Sequence, residues 1–350
     1  MKLLRWLFVL ALVLGLAGSG AAWWLGFRPN TPAFEDTRSV MVPRGSDFDA
    51  LVDSLNNADL LANAGTFRFF GDLTGWAEQV KPGYYTFEAG ATNWALLDKI
   101  RKGLVDPIRV TVPPGVRPGV LAAVLRRDLA IDSTEFRQAL RNTDLAAELG
   151  TDTTHLFGRM RANTFDIYWT QDAAEVVRRI HTWYERFWTD EREAKAQALG
   201  LTPDEVVTLA SIVEWEARLP EERPRVAGVY LNRLLGRTPT GRMRLDADPT
   251  VQYALMQQDG GRMRRLFFAD YALDHPYNTY RVDGLPPGPI NNPSESSIDG
   301  VLDNEEHAYL YFVADGSGGH VFSRTLREHN RAADEYRALM RLRRAQQAAD

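Results

Sequence analysis

Cysteine is absent from the 350-residue chain. That excludes disulfides, thiolate nucleophiles and Cys-ligated zinc, and it leaves the chain safe in an oxidising compartment. Lysine is scarce. Lys195 is the only one after Lys102, and no lysine lies in an apolar run of the second half, which speaks against Schiff-base chemistry there. Excess charge is also missing: a formal net charge of −5 argues against a general nucleic-acid binder. The chain carries no Walker loop, no Gly-x-Ser-x-Gly elbow, no internal repeat and no low-complexity tract. His320 and His329 lack ligand spacing with a further histidine or carboxylate, so no metal and no other cofactor is expected.

One long uncharged run is present, from Trp6 to Leu25, with Lys2 and Arg5 before it and Arg28 after it. About 20 apolar residues span a bilayer core, and Trp23 and Trp24 suit its interface. The flanking positive charge puts the N-terminus in the cytoplasm and the body of the chain outside it, on the far face of a cell (inner) membrane. Small residues at Ala17–Gly20 keep a cleaved signal peptide open as an alternative to a retained single-pass anchor over residues 1–28. Both export the rest.

A short linker from Pro29 to Arg38 follows, and residues 38–105 read as a small βα unit. Strands are expected at Val40–Val42 and Gly83–Phe87, with helices at Asp47–Asn56 (capped by Ser46), Asn63–Leu73 and Asn93–Lys102 (capped by Thr92). Val-Pro-Arg-Gly-Ser, Lys-Pro-Gly-Tyr-Tyr and the closing helix make this unit resemble the LysM-like domain of wall-active proteins. Tyr84, Tyr85 and Trp94 would stack on sugar or belong to a core, and the unit itself would bind glycan or serve as a spacer.

Ile108–Val112 reads as a strand, Leu121–Leu129 and Ser133–Arg141 as helices, and Asp172–Trp188 as a long amphipathic helix running into Arg192. His181, among aromatic neighbours, reads as a packing residue. The second half centres on a helix from Pro203 to Ala217. Thr202, Pro203 and Glu205 supply a cap, a first-turn proline and a capping box. Eight uncharged residues, Val206–Val213, then lead to Glu214, so the helix is expected to be buried. A carboxylate ending such a run is costly unless it is paired, protonated or beside a wet cleft. Glu214 would be a protonated acid, or it would pair with Arg218 or Arg223.

Three later stretches carry polar groups in apolar settings. Asn232 and Arg233 end a helix running through Val226, Val229, Tyr230 and Leu234. Asp248 stands before Pro249 and reads as the cap of the next helix. The Tyr277–Pro293 loop is too rich in proline and glycine for a long helix, and its Tyr277, Asn278, Thr279 and Tyr280 suit sugar recognition or a structural turn. A short helix at Ser296–Leu302, a hairpin of Tyr309–Val313 with His320–Ser323, and a terminal helix close the chain.

Leu-Ala-Ser-Ile-Val-Glu-Trp-Glu-Ala, Arg-Val-Ala-Gly-Val-Tyr-Leu-Asn-Arg-Leu, Asp-Pro-Thr-Val-Gln-Tyr, Tyr-Asn-Thr-Tyr, Gly-Leu-Pro-Pro-Gly-Pro-Ile, Leu-Tyr-Phe-Val-Ala and His-Val-Phe-Ser follow in that order from about Thr202 to Asn330. Together they resemble the YceG-like (MltG) family of endolytic murein transglycosylases. The resemblance implies an α+β fold: an N-terminal transmembrane helix, a LysM-like βα domain, and a mixed α/β catalytic domain over residues 106–345 with its central helix at 203–217. It implies Glu214 as catalytic acid, and substrate contacts from Ser211, Glu216, Asn232, Asp248, Thr250, Tyr277, Asn278, Thr279, Tyr280 and His320. There are departures from the family pattern. Phe157 stands before Gly158 where glutamate is usual, Ala162-Asn163-Thr164-Phe165 replaces Pro-Asp-Thr-Tyr, and Ser294 stands where glycine is common.

The implied reaction cuts the bond between N-acetylmuramic acid and N-acetylglucosamine within peptidoglycan strands, leaving 1,6-anhydro ends and terminating strand growth. Penicillin-binding wall synthases are the implied partners. One carboxyl suffices because the muramoyl C6 hydroxyl, not water, attacks C1. Two alternatives remain: a muramidase with Glu216 or Asp248 as second carboxylate, and an idle glycan-binding scaffold for wall synthases.

Overall fold

A computed structural model describes residues 2–260 and 263–347. The chain divides into two compact units, one formed by residues up to 109 with 166–171, the other by 110–165 with everything from 172 onward. The architecture is mixed helix and strand, as expected.

The first unit opens with helix α1 (Lys2–Phe27). Its 26 residues span about 39 Å at about 1.5 Å per residue, and from Arg5 to Phe27 it is long and apolar enough to cross a membrane. Strand β1 (Thr37–Val42), helices α2 (Phe48–Asn57) and α3 (Ala64–Thr74), strand β2 (Gly83–Glu88) and helix α4 (Asn93–Lys102) complete the unit. The strands pair antiparallel with Val40 opposite Tyr85. Val42, Leu51, Leu55, Phe67, Tyr85, Leu96 and Ile100 fill the space between sheet and helices. Asp47, rather than Ser46, caps α2, its carboxylate accepting from the Ala50 N–H at 2.8 Å. Thr92 caps α4 as read.

Tyr85 belongs to the core, with its hydroxyl donating to the Lys81 carbonyl at 2.9 Å, so it has no face for sugar. Trp94 stacks on Phe27 at 5.3 Å and stays partly exposed. Asn30 and Asn93 tie the end of α1 to this unit: the Asn30 amide donates to Asn93 Oδ1 at 2.6 Å, and the Asn93 amide to the Leu25 carbonyl at 2.9 Å.

The second unit takes up the chain within strand β3 (Ile108–Val112), followed by helices α5 (Pro118–Leu129), α6 (Ser133–Leu140) and α7 (Thr143–Glu148). Strand β4 (Asn163–Ile167) pairs with β3. The long helix expected from Asp172 is two helices, α8 (Ala173–Phe187) and α9 (Asp190–Ala198). Thr189 starts the second by accepting from the Arg192 N–H, a cap that competes with helix continuation at a β-branched residue.

Helix α10 (Pro203–Glu216) then runs through the core, with Val206 to Val213 all buried and the Thr202–Glu205 capping box in place. Around it lie α11 (Arg223–Leu234), α12 (Asp248–Gln258) and α13 (Glu295–Leu302). A hairpin of β5 (Tyr311–Ala314) and β6 (His320–Ser323) and the terminal helix α14 (Leu326–Gln347) close the unit. Leu209, Ile212, Val213, Val226, Tyr230, Ile298 and Val301 form one cluster where α10, α11 and α13 meet. A fully buried aliphatic side chain at such a junction contributes about 1.5–3 kcal/mol by removal from water.

Candidate active site

The two glutamates ending α10 are two residues apart, so about 200° separates them around the helix. They meet different surroundings. Glu214 turns toward α11 and the start of α13, and its side chain is 8% exposed. The Arg223 guanidinium donates to Oε1 at 3.1 Å. Oε2 receives the Ser294 N–H at 2.9 Å, the Ser297 hydroxyl at 2.6 Å and the Ser294 hydroxyl. Arg223 is itself held by Ser294 and Ser296. Ser294 thus supplies both a backbone and a side-chain donor.

The loop after β3 closes on the same carboxylate. Gly115 sits at φ +65°, and a Cβ there would lie 3.2 Å from Glu214 Cγ, so the position needs glycine on both counts. The Gly115 carbonyl accepts from Trp215 Nε1 at 2.8 Å, and Asn292 clasps the loop through Val116 N at 2.9 Å and the Pro113 carbonyl at 3.0 Å.

Glu216 faces a cavity of about 650 Å³ whose wall also carries Tyr230, Arg233, Asp246, Asp248, Tyr271, Tyr280 and His320. The Tyr230 hydroxyl donates to Glu216 Oε1 at 2.9 Å. Burial lifts the Glu216 carboxyl from 4.5 to about 7, and neighbouring Asp248 pushes the same way, while the Tyr230 bond and Arg233 pull against them. Burial likewise raises the Tyr230 and Tyr280 hydroxyls, so both are protonated donors at neutral pH.

Asp248 was expected to cap α12. It is instead the first residue of that helix, preceded by Ala247, which offers no side-chain cap. Its carboxylate accepts from the Tyr280 hydroxyl at 2.7 Å and the Tyr271 hydroxyl at 3.3 Å, on the cavity wall. Asp246, two residues earlier, holds a left-handed φ of +47°, and burial raises its carboxyl. Non-glycine strain of this kind collects at functional sites.

The structure therefore brings Glu216, Asp248, Tyr280 and His320 together, and places the other expected contacts behind the wall. Ser211 is fully buried, donating to the Thr208 carbonyl at 2.7 Å and accepting from Ile290 N at 3.0 Å. The Asn232 amide donates to the His307 carbonyl at 2.8 Å. The Thr250 and Thr279 hydroxyls bond each other at 2.8 Å, and the Asn278 amide donates to the Leu273 carbonyl at 2.7 Å. Tyr277 packs against Tyr253 with ring centroids 4.7 Å apart. Ser211, Thr250, Thr279 and Asn278 brace the loop from inside, and Asn232 ties α11 to the segment before β5, because buried polar groups must find partners.

Arg233, a polar group on a packing helix, does face the cavity, whereas Tyr230, Asp246 and Tyr271 are wall residues that sequence reasoning did not name as binding groups.

A YceG-like family profile matches residues 40–335. The chain belongs to the YceG-like family. Among curated relatives, the endolytic murein transglycosylase of Bacillus subtilis is 26% identical over 340 residues, covering 91% of this chain and 90% of its own length. The endolytic murein transglycosylase of Streptococcus pneumoniae is 25% identical over 330 residues, and the match covers 85% of this chain but 58% of that longer protein. A crystal structure of a putative yceG-like protein from Listeria monocytogenes aligns with TM-score 0.58 at 25% identity, covering 85% of this chain and 99% of that one.

Proposed function

We propose that this YceG-like protein is an endolytic murein transglycosylase whose proton donor is Glu216. The observation that carries the reading is a carboxyl raised to about 7 on the wall of a cavity large enough for a disaccharide unit. A general acid works best when its own value lies near the working pH. Glu216 gives its proton to the bridging oxygen between N-acetylmuramic acid and N-acetylglucosamine. The muramoyl C6 hydroxyl closes on C1, leaving a 1,6-anhydro end. Tyr230 holds the carboxyl in place, and Asp248 with its two tyrosines orients the sugar.

This reading moves the acid role from Glu214, where the motif puts it, to Glu216. Glu214 accepts four hydrogen bonds, one on Oε1 from the Arg223 guanidinium and three on Oε2, which tie it into the junction of three helices. It acts as a strut, fixing the end of α10 against α11 and α13 so that Glu216 points into the cavity.

Helix α1 suits a single-pass anchor with the catalytic unit on the extracytoplasmic side, and residues 38–105 form the LysM-like spacer or glycan-binding unit. Such an enzyme would end the growth of nascent strands beside wall synthases. The test is turnover of purified glycan strands by wild type, Glu216→Gln and Glu214→Gln. Glu216→Gln abolishes cleavage with its fold intact, whereas Glu214→Gln mainly lowers stability. An active Glu216→Gln enzyme would refute the assignment.

A further inference from the structure

Anhydro-ring closure moves two protons: one goes to the departing oxygen, and one must leave the C6 hydroxyl. Resting on the transglycosylase reading, we propose that His320, held by Glu222, is the base that takes the C6 proton.

His320 begins β6 and lines the same cavity as Glu216. Glu222 grips it twice. Oε2 lies 2.8 Å from the imidazole Nδ1, and Oε1 accepts the His320 backbone N–H at 3.0 Å. The side chains of the pair are 11% and 14% exposed. A carboxylate on Nδ1 fixes the tautomer with the proton there, leaving the Nε2 lone pair for a substrate hydroxyl. Phe312 meets the ring edge-on at 5.2 Å and Phe322 at 6.2 Å, which sets its plane. Gly319 makes room for the grip, since a Cβ there would stand 2.8 Å from Glu222 Oε1.

In the step, the C6 O–H bond breaks toward Nε2 as O6 bonds to C1. The C1–O4 bond breaks, and O4 keeps its electron pair and takes the proton of Glu216. The enzyme ends with ionised Glu216 and imidazolium His320, and exchange with solvent restores both. No oxidant or further reactant is needed.

The test uses the full-length protein in detergent with purified glycan strands, and compares wild type, His320→Gln and Glu222→Gln. Products are counted by mass spectrometry as anhydro or reducing ends, alongside strand binding and melting temperature. General-base removal costs about 10²–10⁴-fold. His320→Gln should therefore lose at least about 100-fold in anhydro formation, with strand binding unchanged. The residual products should shift toward reducing ends, because water replaces an unactivated C6 hydroxyl. Glu222→Gln should show the same shift in weaker form. Anhydro turnover within threefold of wild type in His320→Gln overturns the proposal. So does a joint fall in melting temperature and binding, which would mark the pair as purely structural. Wild type yielding only reducing ends would instead sink the transglycosylase reading itself.

Discussion

Replacing Glu216 with glutamine should change stability in a pH-dependent way that can be worked out from its setting. The folded carboxyl holds its proton up to about pH 7, while the unfolded one loses it near 4.5. Below 4.5 both states are protonated and the group is neutral to folding. As pH rises past 4.5 the unfolded chain releases the proton first, and stability falls until the folded carboxyl ionises near 7. At roughly 1.4 kcal/mol per tenfold change, the cost to wild type reaches about 3 kcal/mol at pH 8. Glutamine cannot ionise and can still accept from Tyr230. Relative to wild type, Glu216→Gln should therefore gain about 3 kcal/mol between pH 4.5 and pH 8 while losing activity. Urea unfolding of both proteins at the two pH values measures the gap. A gap that does not change with pH would refute the reasoning, because the carboxyl would then be no more buried than in an unfolded chain.

Tyr230→Phe removes a bond that favours the ionised form of Glu216, so the pH at which activity falls on the alkaline side should move upward in a pH–rate profile. Arg223→Ala strips the cationic partner from a buried carboxylate and should cost about 3–5 kcal/mol in chemical denaturation. Thr202→Ala removes the cap of α10 and should cost about 1 kcal/mol with activity kept. Leu209→Ala hollows the fully buried face of the same helix and should cost about 2–5 kcal/mol by the same assay.

Local rules made much of the fold readable. The Thr202–Pro203–Glu205 start of α10, the Thr92 cap of α4 and the bounds of β3 and β6 all follow from neighbours in sequence. The break between α8 and α9 was missed because the aromatic periodicity of Trp183, Tyr184 and Trp188 runs across it, while the deciding cap at Thr189 is one residue in an otherwise helical pattern.

The site was harder to read for a different reason. Glu214 and Glu216 have the same chemistry, and periodicity says only that they point apart. What separates them is Arg223, nine positions on, and Ser294 and Ser297, eighty and more positions away. Likewise, nothing local distinguishes Asn278 and Thr279, turned inward, from Tyr280 in the same loop, turned to the cavity. Asp248 looked like a cap because a proline follows it, and only the fold shows two tyrosine hydroxyls waiting for its carboxylate.

The most direct test is a carboxyl-carbon NMR titration of the full-length protein labelled at glutamate, with the Glu216 signal assigned by its absence in Glu216→Gln. A midpoint near pH 7 is the expected result. A midpoint near 4.5 would leave the site without its proton donor at working pH and would contradict the account.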